Sequence, residues 1–211
     1  MMQPPARLDI SAEVATIRAQ LEAHADPTYE AGMRRVVPSQ LPAHLVRLGD
    51  LRRIGAEWSR EHRGASAEEL IELADALWAT GWREEGIVAM IVLSRSKDAL
   101  QTLPWSTIEA WSSRFENWEH VDNSAMLVTG AMLQLRPGLI DDIEAMASSD
   151  HVWQRRLAIV TLIEATRHDA SFASQLEAMA QRLMGDRRPT MRKAVAWARK
   201  VLSETEGQIA G

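Results

Sequence analysis

The sequence predicts an all-α protein, and three observations carry that reading. Apolar residues recur at three- and four-residue steps along nearly the whole chain. No stretch shows four alternating positions rich in Val, Ile, Thr and aromatics. Gly 11 and Pro 8 are too few for a protein built of many tight turns. Paired amphipathic helices at this spacing suggest a helical-repeat solenoid, in which each pair buries its apolar face against its neighbours. A compact bundle is the alternative that periodicity leaves open. With 211 residues, 46% of them hydrophobic and 25% charged, the chain suits one domain with a sizeable core.

The elements follow in order. Ser11 is placed to cap a helix through Val14, Ile17 and Leu21, and Asp26-Pro27 breaks it. A short segment ends near Pro38, and the stretch LPAHLVRLG after it is ambiguous. Asp50 is expected to cap a helix with Leu51, Ile54 and Trp58 on one side and Arg52 and Arg53 beside them. Ser66 and Glu69 form a capping box before Leu70, Leu73, Ala74 and Leu77, and Thr80-Gly81 stops that helix. The stretch 84–94 is apolar almost all round, so it should be the most buried helix. Pro104 suits the first turn of a helix bearing Trp105, Ile108 and Trp111. Further helices are expected from Val121 to Arg136, over 139–147, over 151–167 behind an Asp150 cap, over 171–184, and from Pro189 to Glu204. Residues 1–26 read as an N-terminal segment with one helix packed on the repeats, 27–204 as the repeat domain, and 205–211 as a frayed tail.

Composition narrows the function. Cys 0 removes disulfides, thiolate metal sites and cysteine nucleophiles together. No apolar run approaches the roughly 18 residues of a membrane span, and the N-terminal stretch MMQPPARLDI lacks a secretory pattern. A cytoplasmic location and no membrane partner are therefore expected. No phosphate-binding glycine loop, zinc-protease helix or serine-hydrolase elbow is present. The six histidines include no i,i+3 or i,i+4 pair, so a helix-borne zinc site is not expected. The formal charge of −5 gives no overall attraction to nucleic acid, which would need a local basic surface.

Three segments carry candidate chemistry. Trp118 and Asp122 are four apart, so a helix projects both from one side; a carboxylate beside an indole face suits a cation, although Asp122 as a cap with Trp118 in the core is the simpler account of these residues alone. In Trp153-Gln154-Arg155-Arg156, Trp153 and Arg156 share an otherwise apolar face. An arginine there needs an anion, either a protein carboxylate or a ligand phosphate. Near the end, Arg187, Arg188, Arg192, Lys193, Arg199 and Lys200 surround Trp197, whose alanine neighbours leave the indole open to something flat or to another helix; this suits a nucleic-acid surface, although a charged helix with its Trp in the core fits as well.

In this order and at these intervals, the segments resemble the DNA alkylation repair glycosylases of the AlkD type. The matching residues are Trp118 with Asp122, the W-x-x-R opening Trp153 to Arg156, and Lys193-Ala194-Val195-Ala196-Trp197. Upstream, Val46-Arg47-Leu48-Gly49-Asp50-Leu51-Arg52-Arg53 and Leu77-Trp78 followed by Arg83-Glu84-Glu85 are similar to two further family segments, and the likeness covers about 29–204. Val36 stands where the family commonly has an aromatic residue.

The resemblance implies HEAT-like repeats in a right-handed α-α superhelix with a concave face. It also implies a metal-independent, monofunctional enzyme that hydrolyses the N-glycosidic bond of positively charged N3- and N7-alkylpurines in duplex DNA, working as a monomer without a cofactor. In that reading Asp122 sits by the sugar of the damaged nucleotide, Trp118 and Trp197 pack on deoxyribose and backbone, and Arg156 holds a phosphate. Arg34, Arg35, Arg52, Arg53, Arg155, Arg192, Lys193 and Arg199 are the expected DNA-binding residues. The chemistry is consistent with so sparse a residue inventory. A cationic purine is already a good leaving group, and the positive charge growing on the sugar needs only a fixed carboxylate. The competing reading is a catalytically inactive HEAT-like module that binds DNA or another protein.

Overall fold

The computed structural model describes residues 7–209, and among them every regular element is a helix. The α-helices are α1 (Ile10–Ala23), α2 (Glu30–Val36), α3 (Leu48–Glu61), α4 (Ala67–Ala79), α5 (Arg83–Leu93), α6 (Lys97–Thr102), α7 (Trp105–Ser112), α8 (Trp118–Ser124), α9 (Gly130–Leu135), α10 (Ile140–Met146), α11 (Val152–His168), α12 (Ala173–Leu183) and α13 (Pro189–Ile209). A π-turn, Ala125–Thr129, joins α8 to α9 without a break in the helical chain path. The all-α, packed-helix expectation holds. No helix among the described residues is long and apolar enough to cross a membrane.

Contacts group the chain into two compact units, Met1–Leu103 and Pro104–Gly211. In the first, α5 lies against α3 and α4, and α1 packs on α3 and α4. All eleven residues of α5 are buried, as its unbroken apolar run requires. In the second unit α11 has the same role: it packs against α8, the π-turn, α9, α10, α12 and α13, and residues Arg155 through Thr166 are all buried.

The Ser66–Glu69 capping box forms as expected, and Gly81 takes φ 77°, the left-handed conformation that ends α4. Other boundaries move. Asp9, not Ser11, caps α1 by accepting the Ala12 N–H. The third helix starts at Leu48, so Asp50 lies in its first turn and does not cap it. Asn117 caps α8 by accepting the Glu119 and His120 N–H groups, so the helix starts at Trp118, three residues before the expected Val121. His151, not Asp150, occupies the N-cap of α11, with no side-chain bond. The short α6, capped by Ser96, falls in a stretch whose six residues show too little periodicity to read. The last helix runs on to Ile209; residues 1–6 and 210–211 of the expected termini lie outside the described residues.

The ambiguous stretch before α3 is an ordered loop held by two buried glutamates at the start of α5. One carboxylate, Glu84, accepts the N–H groups of His44 (2.9 Å), Leu45 (3.1 Å) and Val46 (3.4 Å), and also the Arg83 guanidinium at 2.6 Å. That web holds Leu45 at φ 63°, a conformation unfavourable for a side chain with a Cβ. The other, Glu85, receives His44 Nε2 at 2.9 Å and Arg18 Nε at 2.8 Å, while the His44 ring stacks on Trp82 with centroids 4.1 Å apart.

Burial pushes the Glu85 carboxyl up, but hydrogen bonds from His44, Arg18 and Thr80 outweigh it and hold it down to about 2. The folded state therefore has the lower pKa. Its stabilisation is complete above the ordinary glutamate value and is lost as pH falls toward 2. A depression of this size corresponds to about 3 kcal/mol. Urea titrations at pH 7 and pH 3 should show wild type losing more stability over this interval than Glu85→Gln. Equal losses would mean that Glu85 contributes nothing to acid sensitivity.

Candidate active site

The second unit brings Asp122 and Arg156 together. Asp122 lies in the second turn of α8, and Arg156 lies one turn into α11, which packs across it. Arg156 Nε donates to Asp122 Oδ1 at 2.9 Å and Nη2 to Oδ2 at 2.7 Å, a bidentate fork. The third contact, Nη1 to the Thr190 carbonyl at 2.7 Å, ties the same guanidinium to the first turn of α13. One arginine thus links the helices that carry Trp118, Asp122 and Trp197.

The register of α11 against α8 is fixed nearby. The Thr129 and Thr161 hydroxyls lie 2.6 Å apart, joining the π-turn to α11 five residues beyond Arg156. At Gly130 a Cβ would meet the Ala125 carbonyl at 2.9 Å and Glu164 carbons at 3.0 Å, so only glycine lets the chain pass this close after the π-turn. Such turns insert one residue into a helix and are frequent at functional sites.

Asp122 is not a cap, since Asn117 has that role, and its side chain keeps 14% exposure. Its carboxylate has about four lone-pair positions, and Arg156 takes two of them. Burial raises the Asp122 carboxyl above the ordinary aspartate value and outweighs the opposing hydrogen bond and charge of Arg156. This is an anion held where charge is costly, with part of its surface still open. Trp118, one turn earlier on the same side of α8, is half-buried. Trp197 is half-buried too, and its seven-residue spacing from Thr190 puts it on the side of α13 that meets Arg156.

Arg155 points away from this group. Its Nε donates to Asp186 Oδ2 at 3.3 Å and its Nη1 to the Ser149 carbonyl, so it is buried structure. Asp186 also accepts Arg188 Nε at 2.8 Å and the Arg188 N–H at 3.1 Å; Arg188, and beyond it Arg155, holds its carboxyl down to about 2. That knot fixes the turn before α13. The sequence reading passed over Asp186, Thr190 and the threonine pair. An Asp two residues ahead of Arg188-Pro189 was a legible turn signal for the first of these. The others act through a backbone carbonyl or a hydroxyl pair that no spacing reveals.

The other expected DNA-binding residues divide between the units. In the first, Arg34 bonds Glu30 at 2.8 Å and the Ser39 carbonyl at 3.0 Å, and Arg53 bonds Asp50 at 3.1 Å and Glu57 at 3.4 Å. Arg35 and Arg52 are exposed, and neither forms an ion pair among the described residues. In the second, Arg192 and Lys193 are exposed and, with Pro189 and Ala196, line a concavity of ≈ 320 Å³ at the opening of α13. Arg199 is exposed, with Nη2 on the Met184 sulfur at 2.8 Å. Val36, matching the family's early aromatic, is 58% exposed.

Among the described residues, all regular elements are helical, and α11 packs both on α8, which carries the mostly buried Asp122 carboxylate and Trp118, and on α13, which carries Trp197. A model of the DNA alkylation repair enzyme family matches residues 17–209, and the chain belongs to that family. No curated protein matches the chain. Membership gives it a role in DNA alkylation repair and points to DNA as its partner.

Proposed function

We propose that the protein is a DNA glycosylase that hydrolyses the N-glycosidic bond of positively charged N3- and N7-alkylpurines in duplex DNA. The observation that carries this reading is the Asp122 carboxylate, partly open, oriented from one side by Arg156, and sharing a helix face with Trp118. As the cationic purine departs with the bonding electron pair, positive charge develops on the deoxyribose. A carboxylate fixed beside that sugar interacts more strongly with the transition state than with the ground state, and its free lone pairs can orient the attacking water. Water adds at the anomeric carbon, the neutral alkylpurine leaves, and a proton passes to solvent. The two tryptophans offer flat apolar surface to the sugar edge. Arg156 is primarily a positioning residue here. Three of its five N–H groups are committed to Asp122 and Thr190, and its side chain is buried.

Discrimination then rests on the lability of the glycosidic bond, so neutral lesions are poor substrates. The test is single-turnover release of 7-methylguanine and 3-methyladenine from methylated duplex DNA. We expect release well above spontaneous depurination. None, from protein shown to be folded, would remove the catalytic reading. The inactive DNA-binding module would remain, a reading favoured by one observation: Arg156 already neutralises Asp122 as a structural partner would.

A further inference from the structure

The first unit contains a second basic concavity that none of the expected site residues touches. It has a volume of ≈ 520 Å³ and is bordered by Arg60, His62 and Arg63 at the end of α3 and by Arg95, Lys97 and Asp98 beyond α5. We propose that it binds phosphate groups of the DNA backbone, an inference that rests on DNA being the partner.

Several observations support this. Four permanent cations, Arg60, Arg63, Arg95 and Lys97, border one hollow from two separate stretches of chain, with Asp98 as its one lining carboxylate. All four are exposed, and none has an ion-pair partner among the described residues, in contrast to Arg18, Arg47 and Arg53 of the same unit. In a chain of net charge −5, four cations around one hollow with a single lining carboxylate make a local positive surface that an external anion can meet.

Helix ends explain part of the arrangement, because carbonyls at the ends of α3 and α5 favour nearby cations. Much of that demand is already met within the backbone. Trp58 O receives His62 N, Met90 O receives Ser94 N, Val92 O receives Arg95 N and Leu93 O receives Ser96 N. His62 is engaged away from the hollow; its Nδ1 contacts the Trp58 carbonyl, its ring stacks on Trp58, and its Nε2 lies 3.4 Å from Glu13. The guanidinium groups are the donors suited to phosphate oxygens, since their planar forks bond them in pairs. The hollow is larger than one phosphate needs, which suits successive phosphates of a strand.

The test compares wild type with Arg60→Gln/Arg95→Gln and, separately, Arg63→Glu/Lys97→Glu for binding to undamaged duplex DNA across a salt series. These side chains are exposed, so both variants should melt as wild type does. Losing two phosphate contacts should reduce the slope of log affinity against log salt by about 1.8. Affinity should fall by about tenfold at low salt for the neutral pair and further for the charge-reversed pair. Competition by inorganic phosphate at concentrations too low to act as bulk salt would identify a free-phosphate pocket and overturn the assignment to DNA. So would unchanged slope and affinity in both variants, or a wild type that does not bind duplex. Base release by wild type is scored in a separate assay. Its failure would remove the excision reading and leave the salt slopes to decide this one.

Discussion

Asp122→Asn is expected to slow release of 7-methylguanine from methylated duplex by about 10²–10³-fold under single-turnover conditions, the usual loss on removing one preorganised electrostatic stabiliser. The substitution keeps the side-chain shape and removes the charge. If the carboxylate acts on the cationic sugar, the loss appears in the chemical step and affinity for duplex changes little. The variant carries a structural cost as well. Arg156 presents Nε and Nη2 to the two oxygens, so an asparagine amide must set its own NH₂ against one of those donors. A melting curve must therefore accompany the rate. Wild-type excision by a folded Asp122→Asn protein would end the proposed role of this residue.

The rate should also depend on pH in a definite direction. Excision needs the ionised carboxylate, and burial raises the Asp122 carboxyl above its ordinary value. The wild-type rate should therefore fall on acidification at a higher pH than an ordinary aspartate would give. The consequence for stability has the opposite sign. A folded-state value above the unfolded one stabilises only at low pH, and that contribution is lost as pH rises through the folded value. At neutral pH the charged carboxylate is thus a cost to folding, as expected of a group kept for function.

Helical spacing made much of this molecule legible. The apolar run at 84–94 announced the buried α5, and Ser66 with Glu69 announced the start of α4, because both signals are local and repeat at helical period. Spacing also placed Trp118 with Asp122 on one helix face and Trp153 with Arg156 on another, and in the structure Arg156 pairs with Asp122 while Arg155 pairs with Asp186. What spacing leaves out is anything closed through space. Glu84 and Glu85 stand at the start of the apolar run, yet they organise a loop some forty residues earlier in the chain. The π-turn at Ala125–Thr129 has no sequence signature of its own; its trace is Gly130, whose reason lies in Glu164 on another helix. The Thr190 carbonyl that anchors Arg156 belongs to the backbone and has no letter in the sequence.

The second large effect concerns Arg156. Arg156→Ala leaves the mostly buried Asp122 without its cation, which should cost about 3 kcal/mol of folding stability. It also removes the hydrogen bond and charge that now hold the Asp122 carboxyl down, so burial acts unopposed. The acid limb of the excision profile should accordingly move to higher pH, and at neutral pH fewer molecules carry the active carboxylate. A purely structural arginine would lower the melting temperature without moving that limb. An arginine acting only on DNA would instead reduce the salt slope by about 0.9, one phosphate contact. The double variant Asp122→Asn/Arg156→Ala separates these cases. If Arg156 works through Asp122, adding its loss to Asp122→Asn slows excision no further, because the group it positions is already gone. Multiplying losses in that cycle would assign Arg156 an independent hold on the substrate and overturn its role as the orienting partner.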